Sequence, residues 1–204
     1  QKLIPHDSRD DIHVIPNGVD HSYFKPIYKE KKYDVVFTGN MGYPPNVDAA
    51  EYLISEIMPL VWKKKPQTNV LLAGANPSKK VISLKSNLVE VSGWLDDIRD
   101  AYSSARIFIA PMRIGTGLQN KLLEAMSMKI PSITTPLAND ALQARDGNEI
   151  LIGKTTNELA DNILTLLEDK NKYNQIAQLG YEFVHNHHSW ENATEKLHII
   201  INNS

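Results

Sequence analysis

Short apolar runs recur along this chain, and four of them lead into a glycine. Asp34-Val-Val-Phe-Thr38 precedes Gly39, and Asn69-Val-Leu-Leu-Ala73 precedes Gly74. Leu88-Val-Glu-Val91 leads to Gly93, and Ile107-Phe-Ile-Ala110 leads to Gly115. Runs this short, bounded by turn residues, read as strands buried on both faces. Ser132–Thr135 and Glu149–Ile152 continue the series. Between them lie stretches of helical spacing, such as Ala50, Leu53, Ile54, Ile57, Met58 and Val61. Strands alternating with helices predict parallel βαβ units, hence an α/β doubly wound sheet. Ligands on such sheets sit beyond the carboxyl ends of the strands, so all four glycines belong at the binding edge.

The densest chemistry lies in Arg113-Ile-Gly-Thr-Gly-Leu-Gln-Asn-Lys-Leu-Leu-Glu-Ala-Met126. Gly115 and Gly117 permit positive φ and a close approach by a ligand. Leu118, Leu122, Ala125 and Met126 recur at helical spacing, which predicts a helix beginning near Gly117 or Leu118. Lys121 then stands in the first turn, where the helix dipole disfavours a cation but attracts an anion such as phosphate. Glu124 is flanked by apolar residues and needs a partner. Two readings stand side by side: a surface Lys121–Glu124 pair, or a phosphate site with its own cation.

The remaining stretches set limits. Residues 1–32, with a possible short strand at Ile12–Ile15 and a turn at Pro16-Asn-Gly18, read as a linker ahead of a domain over 33–188. Pro59 predicts a kink or restart in the first helix. Asp96 is a cap candidate for a short helix to Ser104, and Thr155-Thr-Asn-Glu158 is a capping box. Lys63-Lys-Lys65 suits a helix end. His185, His187 and His188 read as a helix–loop junction, with metal the weaker alternative. With 42% apolar residues the chain can build a core, and a net charge of −2 gives no footprint for nucleic acid. It has no cysteine, which excludes disulfides and cysteine–zinc sites. No run reaches transmembrane length and the first residues do not read as a signal peptide, which points to the cytoplasm.

Together these motifs resemble family 4 glycosyltransferases of the GT-B fold, over nearly the whole chain. Val14-Ile-Pro-Asn-Gly-Val-Asp20 with Phe24-Lys-Pro26 is similar to the segment joining that family's two domains. Phe37-Thr-Gly39 with Pro45-Asn-Val-Asp-Ala49 resembles the start of their Rossmann-like C-terminal domain. The stretch from Arg113 to Met126, with Pro131 and Thr135-Pro136, resembles their donor-site motif, nearest to bacterial exopolysaccharide-associated sugar transferases.

The resemblance implies that Glu124 accepts hydrogen bonds from the ribose hydroxyls of a nucleotide diphosphate sugar. It implies that Gly115, Thr116, Gly117, Leu118, Asn120 and Lys121 hold the diphosphate and sugar, with Gly39, Asn40, Gly93 and Trp94 at the same strand edge. Two positions depart from the family pattern. Asn40 stands where a basic residue is common, and Thr116 replaces the first glutamate of a Glu-x7-Glu motif. Arg113 is a candidate for the missing positive charge, with a structural carboxylate pairing as the alternative. The implied reaction is hexosyl transfer to a hydroxyl with retention, without metal or other cofactor. Acceptor-side catalytic groups, and any peripheral membrane contact, would lie in an N-terminal domain. The helix over 189–204 would pack on that domain, and this chain alone would bind donor without turnover. A GT-B nucleotide-sugar epimerase and a non-catalytic nucleotide-binding module share these features; product analysis separates them.

Overall fold

The computed structural model describes His13, Ile15, and residues 17–115 and 117–203. It opens with strand β1 (Tyr33–Thr38), helix α1 (Pro44–Tyr52), a π-helical turn over Leu53–Ile57, and α2 (Met58–Lys64). Then come β2 (Val70–Ala73), α3 (Lys79–Ser83), β3 (Val89–Gly93), α4 (Arg99–Ser103) and β4 (Ala105–Ala110). Next are α5 (Asn120–Ser127), β5 (Ser132–Thr134), α6 (Pro136–Asn139) and β6 (Leu151–Ile152). Three helices close the chain: α7 (Thr156–Glu168), α8 (Lys170–His187) and α9 (Trp190–Asn203). The six strands form one parallel sheet in the order β3-β2-β1-β4-β5-β6. In the register, Val35 lies between Val70 and Ile107. Val35, Val36, Phe37, Leu72, Ile107, Phe108 and Ile109 are wholly buried, as a sheet covered on both faces requires.

The order reverses between β1 and β4. Chain-consecutive strands run outward on each side of that seam, and a crevice opens there at the carboxyl ends. The expected break near Pro59 is the π-helical turn just ahead of it. The Met58 amide bonds the Leu53 carbonyl, five residues back. A proline ring clashes with the carbonyl four residues before it, and the wider turn accommodates it. Asp97, not Asp96, serves the amino end of α4; its Oδ1 accepts from the Arg99 amide at 2.9 Å. Thr155 caps α7 as expected, accepting from the Glu158 amide at 3.2 Å. The return bond from Glu158 goes one residue further back, to the Lys154 amide at 2.7 Å. Lys64 and Lys65 at the end of α2 pair with Asp161 and Glu168.

Ile12, Val14 and Pro16, parts of the expected strand and turn, lie outside the described residues. From Asn17 onward the opening segment lies against the domain. The Val19 amide bonds the His188 carbonyl at 2.8 Å, and Ser127 Oγ donates to the Phe24 carbonyl at 2.5 Å. Phe24 and Ile27 pack on the core. Trp190, Leu197 and Ile201 leave an apolar face of α9 exposed, and Ile199 is exposed on the opposite face.

His21 is a latch in this segment. Its ring stacks on His185 with centroids 3.7 Å apart, and His185 in turn meets Tyr181 at 4.0 Å. Ser127 Oγ lies 2.9 Å from His21 Nδ1, whereas Nε2 of both histidines is buried without a hydrogen-bond partner among the described residues. Burial pushes both imidazoles below their ordinary value of 6.5, and a charge on His185 pushes His21 down further. Glu191 and Asp20 oppose that only in part. The unfolded chain therefore binds more protons below that value, so stability is full above it and is lost as pH falls. The melting temperature should drop as pH falls through 6.5, and less steeply in His21→Phe. Identical slopes in the two proteins would contradict this assignment.

Candidate functional site

A cleft of about 480 Å3 opens at the carboxyl edge over the β1–β4 seam. Thr38 and Gly39 end β1 at its floor. Asn120, Lys121 and Glu124 present the first turn of α5 from one side, and Trp94, Leu95 and Ile98 form the other. Backbones crowd under it: a methyl group on Gly74 would meet the Gly39 carbonyl oxygen at 1.9 Å. Only glycine permits that approach.

Helix α5 begins at Asn120, two or three residues later than its apolar spacing suggests. Gly115 (φ +107°) and Gly117 (φ +85°) hold the preceding loop in left-handed backbone, which delays the helix. Gln119 stands at the N-cap without capping through its side chain, and no acidic residue follows in the first turn. That end of the dipole is left to an anion from outside.

Lys121 and Glu124 are not a surface pair. Both are largely buried, and each turns to a different neighbour. Lys121 Nζ donates to Asn46 Oδ1 at 2.5 Å and lies 4.9 Å from the centre of the Phe37 ring. Burial lowers this ammonium to about 8, against a smaller opposing pull from Glu124. The Glu124 carboxylate accepts from the Tyr102 hydroxyl at 2.6 Å. Burial raises its pKa, and the Tyr102 hydrogen bond and the Lys121 charge offset part of that rise. One helical turn thus offers the cleft a hydrogen-bond-accepting anion and a partly desolvated cation.

The other expected residues divide. Asn40 lines the cleft; its carbonyl accepts from Asn46 Nδ2 at 3.0 Å, and its side chain accepts from the Gly42 amide at 3.0 Å. Trp94 is 73% exposed at the rim, an open flat surface for an aromatic ligand. Gly93 lies just behind, where its carbonyl accepts from the Gly74 amide at 3.1 Å. Gly115, Gly117 and Leu118 precede α5 but do not line the cleft, and Thr116 is outside the described residues. Arg113 makes the carboxylate pairing that was its alternative reading. It binds Asp48 through Nη2 at 2.8 Å and Nε at 3.1 Å, reaches Glu56 at 3.2 Å, and stacks over Tyr52 at 4.2 Å. Two carboxylates pair with it, and it fastens the glycine loop to the first helix.

Sequence reasoning missed cleft residues such as Asn46, Thr38 and Tyr23, and Tyr102 beneath them. Tyr102 is wholly buried under Glu124, and Asn46 anchors Lys121. Thr38 supports Tyr102 at 2.9 Å. Tyr23 closes one end of the cleft. Arg99 stacks on that ring at 3.9 Å while holding Asp97 down at about 2 by its hydrogen bonds. Asn46 and Thr38 had a signal, their places in the motifs around Pro45 and Gly39; Tyr23 and Tyr102 come from the opening segment and the short helix α4, distant in sequence.

A family model described as glycosyl transferases group 1 matches residues 32–169. The chain belongs to the group 1 glycosyl transferases. A relative in this setting is an uncharacterised 44.6 kDa protein in the cps region of Klebsiella pneumoniae, 24% identical over 195 residues. The match takes in 87% of this chain and 50% of that protein, so the chain spans about half the relative's length. Among solved structures, Anabaena HepE in complex with UDP and glucose superposes with a TM-score of 0.78 at 15% identity. That alignment covers 94% of this chain and 57% of HepE. The C-terminal domain of the group 1 glycosyl transferase LpcC from Francisella tularensis matches with a TM-score of 0.66 at 22% identity. It covers 85% of this chain and all of that one. At these identities the likeness is one of fold: the Rossmann-like domain of a GT-B glycosyl transferase.

Proposed function

We propose that this chain is the donor-binding domain of a glycosyltransferase that moves a hexosyl group from a uridine diphosphate sugar to a hydroxyl, with retention. The observation that carries the reading is the α5 first turn, where largely buried Glu124 and Lys121 face one cleft beside an uncapped helix end. A carboxylate accepts hydrogen bonds from sugar hydroxyls. An ammonium and free amides receive a diphosphate and would stabilise it as it leaves, so the chemistry asks for no metal here. HepE, similar in fold, was solved with UDP and with UDP-glucose, which favours uridine over other bases. The cps setting of the Klebsiella relative favours polysaccharide synthesis. In this reading the acceptor site, and any contact with a membrane surface, lies in the other half of the protein. Among the described residues no helix is long and apolar enough to cross a membrane.

Calorimetry on this chain should detect UDP binding in preference to GDP, ADP and dTDP. Absence of binding by all four would overturn the reading. A radiolabelled donor assay should give no acceptor-dependent transfer by this chain alone, because catalysis needs a second domain to close over the donor. Transfer at the rate of the full-length protein would refute the two-domain part.

A further inference from the structure

We propose that Tyr102 is a positioning residue for Glu124: its phenol, fixed between Thr38 and the carboxylate, holds one carboxylate oxygen and leaves the other to the ligand. Its importance for donor binding rests on the nucleotide reading above; the contact itself does not.

The geometry gives a directed chain of hydrogen bonds. Tyr102 Oη lies 2.6 Å from Glu124 Oε2, 2.9 Å from Thr38 Oγ1 and 3.4 Å from the Lys121 carbonyl. A phenol has one proton to give. The short contact to an ionisable acceptor takes it, and the Lys121 carbonyl is too distant to compete. Thr38 then donates to Tyr102, so the order runs Thr38 to Tyr102 to Glu124. Glu124 Oε1 has no hydrogen-bond donor among the described residues, while the residue itself lines the cleft. The ring has little freedom: it is wholly buried and meets Phe24 at 6.4 Å and Phe108 at 5.6 Å. Three elements are joined in this way. Thr38 ends the central strand β1, Tyr102 belongs to α4, and Glu124 belongs to α5. The carboxylate is therefore registered against the sheet and not merely against its own helix.

The protonation balance points the same way. Burial and the nearby carboxylate push the Tyr102 hydroxyl well above its ordinary range, so it remains a donor at any physiological pH. Its hydrogen bond lowers Glu124 against the rise that burial imposes. Without the phenol, Glu124 would hold its proton to higher pH.

Tyr102→Phe keeps the ring between Phe24 and Phe108 and deletes only the donor. The first measurement is the titration of the Glu124 side-chain carboxyl by carbon NMR in the ligand-free protein, with the signal assigned through Glu124→Gln. The midpoint should move up in Tyr102→Phe. Thr38→Val, which weakens the donor from behind, should move it in the same direction by less and serves if the first variant does not fold. The second measurement is UDP affinity against pH. Tyr102→Phe should weaken binding by about tenfold near neutrality, the scale of one hydrogen bond to a charged group. The acid limb of the profile should also shift to higher pH, which a merely structural defect would not cause. A Glu124 midpoint unmoved in folded variants would overturn the proposal. So would superimposable pH profiles of UDP binding in wild type and variant. A shifted midpoint in a protein that binds no UDP would uphold the positioning contact and overturn the nucleotide reading.

Discussion

Replacing Glu124 with glutamine is expected to weaken UDP binding by about 10- to 100-fold, the ~1.5–3 kcal/mol carried by hydrogen bonds to a charged group. The free protein should be as stable as wild type, or more stable. Burial raises the Glu124 pKa, so the ionised carboxylate is held in the domain at a cost, which an amide of the same shape avoids. The Tyr102 hydroxyl can still donate to the new amide oxygen. Affinity lost while thermal stability is retained is the pattern of a group kept for a ligand. Calorimetry with UDP and a thermal melt on the same preparation check it. UDP affinity equal to wild type in the folded variant would remove Glu124 from the binding site.

Lys121→Met should produce the second large effect, and a selective one. The unbranched replacement keeps the aliphatic stem against Phe37 and removes the charge. Binding of UDP should fall by about tenfold or more, whereas uridine binding should change little, because only the diphosphate meets the ammonium. The pH dependence has a definite sign. Lys121 is lowered to about 8 in the free protein, and a bound diphosphate favours its charged form. UDP binding therefore takes up a proton above about pH 8, and affinity declines as pH rises beyond it. Stability runs the other way. The unfolded lysine, at 10.5, binds its proton more tightly than the folded one, so the free domain gains stability between 8 and 10.5. In Lys121→Met the trend in affinity should vanish and the trend in stability should shrink, the rest coming from Lys31, which burial also lowers. Equal losses for UDP and uridine would contradict the assignment.

Most of the fold is legible in the chain because each strand is a short apolar run that only a doubly covered sheet can bury. Glycines at the carboxyl edge, Pro59 and the Thr155 cap were readable for the same reason: each carries a local backbone demand. The start of α5 was misjudged because Leu118 continues the apolar spacing. Spacing does not reveal that Gly115 and Gly117 occupy left-handed backbone just before it. The partners of Arg113 were illegible for another reason. Its charge is visible in sequence, but Asp48 and Glu56, which neutralise it, lie on a distant helix turned by the π-helical step. Glu124 was legible as a carboxylate short of a partner. That the partner is Tyr102 was not, because a tyrosine in a short helix looks like ordinary core until the strands bring it beneath α5.

The reversal of strand order bears on how the molecule assembles. β1, β2 and β3 are neighbours both in the chain and in the sheet, as are β4, β5 and β6. The two trios meet only where β1 pairs with β4, through residues such as Val35 and Ile107 that are remote in sequence, and remote pairings form slowly. Thr38, Asn46 and Tyr102 come from the first trio's side of that junction; Lys121 and Glu124 come from the second. Either trio alone would lack one side of the cleft. A ligand that binds only the completed junction shifts the folding equilibrium toward it by mass action. The donor would therefore act as a folding partner for this domain before it acted as a substrate.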